Sequence, residues 1–147
     1  GYNYPDIKLH IPLIQSGITP IISNSDIKEK SEKESLTFRG ISEIQNNPEF
    51  VAFKKILQKL EKSEIKIIVY TVPHNQAYLD IISKNDMKLF TNSIEDITMN
   101  YNIPLYYLHD NYTNLEIWGD LYHVAYNNNT IIYSNDIAEI IKKEINP

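Results

Sequence analysis

Hydrophobic positions become periodic from residue 50. Phe50, Phe53, Ile56, Leu57 and Leu60 recur at spacings of three and four, which puts them on one face of a helix. Asn47-Pro48-Glu49 supplies the start signal: an N-cap residue, a proline at the first helical position, and an acid near the positive end of the dipole. Lys54, Lys55, Lys59 and Lys62 fall mainly off the stripe, toward solvent. The run IKIIVYTV, residues 65–72, is apolar and β-branched without alternation, as expected of a strand buried on both faces. Pro73 closes it. A second helix is predicted over about 85–99, with Met87, Phe90, Ile94, Ile97 and Thr98 as its apolar positions. IPLYYLH, residues 103–109, reads as a second strand. A last helix is predicted from Ser134 or Asn135 to Ile145, with Ile137, Ile140, Ile141 and Ile145 on one side.

Residues 1–46 carry weaker signals. IKLHIPLI (7–14) and ITPII (18–22) have strand composition, but Pro12 and Pro20 demote them to edge or irregular segments. NSDIKEKSEKESLT (24–37) is charged and nearly without apolar anchors, so it reads as an exposed loop or a short solvated helix. The later helix–strand alternation implies right-handed crossovers and a mainly parallel sheet. The expected fold class is therefore α/β, with three layers and helices on both faces of the sheet. Residues 1–147 are read as a single domain. Its clear core is 47–147, and 1–46 are irregular or peripheral. The alternation looks like the second half of such a domain.

Composition narrows the partners. The chain has 147 residues and a formal net charge of −5, with both signs mixed along it. That argues against nucleic acid, which asks for a basic face. No stretch of eighteen apolar residues exists, so no membrane span is expected in this chain. No secretory signal is present, although a removed leader leaves an extracytoplasmic location open. Cysteine is absent, which excludes disulfides, thiolate metal sites and a cysteine nucleophile. Asn111-Tyr112-Thr113 and Asn128-Asn129-Thr130 are sequons, expected by chance in so asparagine-rich a chain.

In an open α/β sheet, ligands bind beyond the carboxyl ends of the strands. The first strand is followed by Pro73, His74, Asn75 and Gln76, and the second by His109, Asp110 and Asn111. The loop before the last helix holds Asp120 and His123 in WGDLYHVAYNNNT. Three of the four histidines are thus candidates for one rim of the sheet; His10 is not. Each has a structural reading as well. His74 can close a turn or cap a helix. His109-Asp110 can be a solvated strand end. Asp120 can be the N-cap of a short helix over 121–126. The functional reading of Asp120 and His123 is an orienting acid and a general base. An acceptor on one ring nitrogen fixes the tautomer and stabilises the imidazolium that forms.

The late Asp-x-x-His motif before a closing helix resembles that of the SGNH, or GDSL-like, hydrolases. The resemblance spans roughly residues 47–147 and includes the helix-fed strand IKIIVYTVP and the later YNIPLYYLHD. It implies an SGNH/flavodoxin-like fold, with His123 as base and Asp120 as its orienting acid. It also implies a serine nucleophile in an early Gly-Asp-Ser block and a Gly-x-Asn-Asp segment for the oxyanion. Neither block is found in this sequence. Ser23 and Ser25 in IISNSDI come nearest to a nucleophile, without a flanking glycine for a tight turn. Asn75 does not sit in the family's oxyanion motif, so that role is not transferred to it.

Three functions follow as expectations. The first is an SGNH-like ester hydrolase or acyl transferase, whole or in its C-terminal part. Its substrate would be a small-molecule or carbohydrate ester, with the nucleophile supplied by a missing N-terminal segment or a partner chain. His74, Asn75, Trp118 and Tyr122 are its candidate substrate-binding residues, and no cofactor is implied. The second is a non-catalytic α/β binding or assembly module, with Tyr78, Tyr106, Tyr107, Trp118, Tyr122 and Tyr126 lining a carbohydrate or peptide cleft. The third is a metal site from His74, His109, Asp110 and His123.

Overall fold

The computed structural model describes residues 20–35, 40, 44, 46–63, 65–126 and 128–145. The candidate segment 7–14, with His10, and residues 18–19 lie outside them. In chain order the elements are α1 (Asn24–Ser35), α2 (Pro48–Glu61), β1 (Val69–Tyr70), α3 (Gln76–Ile81), α4 (Lys84–Asn100), β2 (Leu105–Tyr106) and α5 (Ile131–Ile145). A single 3-10 turn over Asn128–Thr130 leads into α5.

The expected three-layer α/β fold, with a mainly parallel sheet, does not form. The sheet of the described residues has two strands, β1 and β2, paired in parallel with Val69 opposite Leu105 and Tyr70 opposite Tyr106. The predicted strands 65–72 and 103–109 each contribute two residues to it. Part of the reason lies in the hydrogen-bonding groups. Pro73 has no N–H to donate. The Thr71 hydroxyl takes the N–H groups of Leu108 (2.8 Å) and His109 (3.1 Å), so a side chain replaces the next rung of the ladder. Nor is the run buried on both faces: Ile65 and Val72 are each 55% exposed. The chain is instead helix-rich.

The helices follow their local signals. The Asn47 side chain accepts from the N–H groups of Glu49 (2.9 Å) and Phe50 (3.1 Å) and caps α2, with Pro48 at its first position. Leu57 is the fully buried member of its stripe; Ile56, expected inside, is 53% exposed. Ser83 caps α4 through the Asp86 N–H, at 3.0 Å. The far end of α4 closes on Asn102, whose φ of 50° lies in the left-handed region. Asn102 N–H donates to Met99 O and Ile103 N–H to Thr98 O, which satisfies orphan carbonyls and turns the chain into β2.

Two clusters divide the interior. Leu57, Val69 and Ile97 pack at the amino side of the strands, with Phe50, Phe53 and Ile94 against them. Ile27, Leu108, Tyr112, Ile117, Trp118 and Leu121 pack at the carboxyl side. Residues 24–35 therefore form a helix with a buried anchor, since Ile27 and Ser31 are both covered. α5 begins at Ile131, three residues before the earlier of its two expected starts.

Candidate functional site

The carboxyl-side cluster holds the loop that carries Asp120 and His123. Trp118 and Val124 form an antiparallel bridge, closed by Gly119 N–H to His123 O at 2.9 Å and Ala125 N–H to Ile117 O at 2.7 Å. The short helix expected over 121–126 does not form; the segment is a tight loop. Ile22 N–H donates to Trp118 O at 2.9 Å, which ties the entry to α1 onto this loop. Trp118 itself is 1% exposed and anchors the core. It is therefore not a wall of a substrate cleft, and the expected contact with ligand is corrected.

Asp120 closes a turn rather than capping a helix, and its carboxylate also meets the His123 ring. Oδ1 accepts the N–H groups of Tyr122 (2.7 Å) and His123 (2.8 Å), which fixes the turn. Both carboxylate oxygens face the Nδ1 atom of His123, Oδ1 at 3.0 Å and Oδ2 at 2.9 Å. An ionised carboxylate only accepts, so in the neutral ring the proton belongs on Nδ1 and the lone pair on Nε2. The His123 side chain is 76% exposed. Partial burial pushes the Asp120 carboxyl up. The hydrogen bonds from the His123 ring and from the two backbone N–H groups outweigh it, and the group lies below its ordinary range.

His74 and His109 reach the same end of the sheet. His74 N–H donates to His109 O at 2.9 Å, and His109 Nδ1 lies 3.2 Å from the Thr71 hydroxyl. The His74 ring stacks at a tilt on Tyr78, 4.7 Å between centroids. Tyr78 meets Tyr122 edge-on at 5.1 Å, and Tyr122 meets His123 at 6.2 Å. A chain of rings thus runs from His74 to His123. Burial first, and then the neighbouring His109 and His123, hold the His74 imidazole below its ordinary range. Its Nδ1 is buried without a partner.

Asn75 is buried and binds the site together. Its Oδ1 accepts Tyr78 N–H at 2.9 Å and caps α3, while its amide donates to Leu121 O in the Asp120 loop. It thereby holds two segments in place. α3 was missed because six residues are too short to show periodicity; the asparagine after His74 was its available signal. Thr71 was missed too, and its signal was a hydroxyl inside an apolar run just before a proline. Tyr122 is exposed beside His123, and its hydroxyl is raised by burial and by a hydrogen bond with Glu34 of α1.

Two other candidates separate from the site. The Ser23 hydroxyl donates to Asp26 Oδ2 at 2.7 Å, accepts Asp26 N–H at 3.1 Å, and lies 2.8 Å from the Ser25 hydroxyl. Both serines thus belong to the start of α1. Among the described residues, no group of three or more histidine, aspartate or glutamate side chains is disposed to hold a metal ion. Tyr106 and Tyr107 are drawn off to Glu144 and Glu95. Among the described residues, no helix is long and apolar enough to cross a membrane.

No family model, curated protein sequence or solved structure matches the chain.

Proposed function

We propose that this chain supplies the general base of an SGNH-like ester hydrolase or acyl transferase. One observation carries the reading. Asp120 grips Nδ1 of an exposed His123 with both oxygens, leaving Nε2 free toward solvent. A serine hydroxyl from outside the described residues, or from a partner chain, attacks the ester carbonyl. His123 Nε2 takes the hydroxyl proton as the new C–O bond forms, and Asp120 stabilises the resulting imidazolium. The imidazolium returns that proton to the departing alkoxide as the ester C–O bond breaks. Water or a sugar hydroxyl then takes the acyl group by the same exchange in reverse.

The test is turnover of p-nitrophenyl acetate. His123→Ala should lower it by about 10²–10⁴-fold, the usual worth of a positioned acid–base group. Asp120→Asn should lower it less, through loss of the tautomer and of the turn. Equal turnover in wild type and His123→Ala would remove the base from the mechanism.

A second reading is a binding module without turnover. The commitment of Ser23 and Ser25 to the α1 cap favours it, because these were the nearest candidate nucleophiles. Ligand binding with no ester turnover under any condition would select it.

A further inference from the structure

We propose that the solvent face of α5 is a docking surface for a second copy of this chain, set antiparallel to the first. The proposal stands apart from the ester reading. α5 carries two apolar faces. The inner one, Tyr133, Ile137 and Ile140, packs on the carboxyl-side cluster. The outer one is Ile131, Ser134, Ala138, Ile141 and Ile145, all of them exposed. These recur at spacings of three and four, which is the heptad seam along which two helices pack. Ile131 and Ile145 are each 62% exposed and Ile141 is 43% exposed, although isoleucine is among the residues most often buried.

Side-chain size sets the register. Ser134 and Ala138 are small, and Ile141 and Ile145, which follow them along the seam, are large. With the second copy antiparallel, Ile141 of each copy faces Ala138 of the other, and Ile145 faces Ser134. Every layer then joins a large side chain to a small one. Such layers fill space and let the helices approach to about 8 Å, the near end of the usual range. The pair is a closed two-fold, so each contact is made twice. A parallel pair would crowd isoleucine on isoleucine in some layers and leave a gap between small residues in others.

Charge selects the same orientation. Along the exposed side of α5 the acids Asp136 and Glu139 precede the bases Lys142 and Lys143. Glu139 and Lys142 lie on one flank of the seam, 3.5 Å apart and both open to solvent. In the antiparallel pair, Glu139 of each copy faces Lys142 of the other. In a parallel pair, like charge would face like. A second copy therefore meets complementary charge. The acids among the lysines also make this a poor match for an anionic lipid surface, which asks for a basic polar face. The seam is short, so its area falls at the low end for specific association, and the dimer is a reversible one of micromolar strength.

The experiment is sedimentation velocity of the full chain, from low to high micromolar concentration. Wild type should pass reversibly from monomer to dimer. Ile141→Glu and Ile145→Glu should each weaken dimerisation about tenfold or more, because each buries a charge in an apolar seam. Both positions are exposed in the single chain, so circular dichroism should show the fold unchanged. Glu139→Lys and Lys142→Glu should each weaken dimerisation several-fold. The double exchange should restore it, since it reverses the pair across the two-fold axis. A wild type that stays monomeric overturns the proposal; if that monomer binds phosphatidylserine vesicles and Ile141→Glu abolishes the binding, the face belongs to a membrane instead. A dimer that survives both isoleucine substitutions also overturns it. Loss of the dimer in both, with no rescue by the double exchange, overturns the antiparallel register.

Discussion

The two apolar clusters are built by different means. The amino-side cluster of Leu57, Val69 and Ile97 is a meeting of helix stripes and one strand. Each helix that enters it has its own cap and its own periodicity. The carboxyl-side cluster is built largely from irregular chain: Leu108, Tyr112, Ile117, Trp118 and Leu121 all lie outside helices and strands. Single long-range bonds stand where a ladder would be, among them Ile22 to Trp118 and Asn75 to Leu121. The difference separates scaffold from site. The loop that carries Asp120 and His123 is held by a few specific contacts, while the regular elements carry the repetitive packing.

That contrast can be broken at its strongest point. Trp118→Ala removes the largest fully buried side chain and should cost about 3–5 kcal/mol. In hydrogen exchange, the loss of protection should concentrate in residues 117–125 while α2 and α4 stay protected. Leu57→Ala should cost about 2–5 kcal/mol in urea unfolding, with the opposite pattern of exchange. Identical patterns for the two variants would mean one undivided core. Asn75→Ala leaves the buried Leu121 carbonyl without its donor and removes a cap, a loss of about 1–3 kcal/mol. It should also lower ester turnover, whereas Asn47→Ala, a cap of about 1 kcal/mol on the scaffold side, should not.

The smallest effect is a pH dependence confined to the site. His74 is held below its ordinary value, so the unfolded chain takes up a proton before the folded one does. Stability from this group is therefore present above the unfolded value of about 6.5 and declines as pH falls below it. The melting temperature should drop between pH 7.5 and 5.5, and His74→Gln should reduce that drop. An unchanged drop in the variant would assign the acid sensitivity elsewhere.

The same division explains what could be read in the sequence. α2 was legible because Asn47, Pro48 and the Phe50–Leu60 stripe all agree, and α4 because its apolar positions extend over about three turns. The sheet was not. IKIIVYTV has the composition of a doubly covered strand, but composition does not record that Thr71 intercepts the ladder. The Asp120–His123 pair was legible as a motif because three residues of separation suffice for a turn to join them. Its supports were not, since Asn75 reaches Leu121 across 46 positions of sequence. Trp118 illustrates the opposite error: an aromatic beside the Asp-x-x-His pair suggests a cleft, and its burial makes it that loop's foundation.

The central claim, that His123 activates a serine, meets its most direct test in labelling by a fluorophosphonate. The wild-type protein, full chain and any partner included, should form a covalent adduct on one serine. In His123→Ala that labelling should fall by about 10²-fold or more in rate. An absence of adduct in the wild type, or an equal rate in both proteins, would contradict the account.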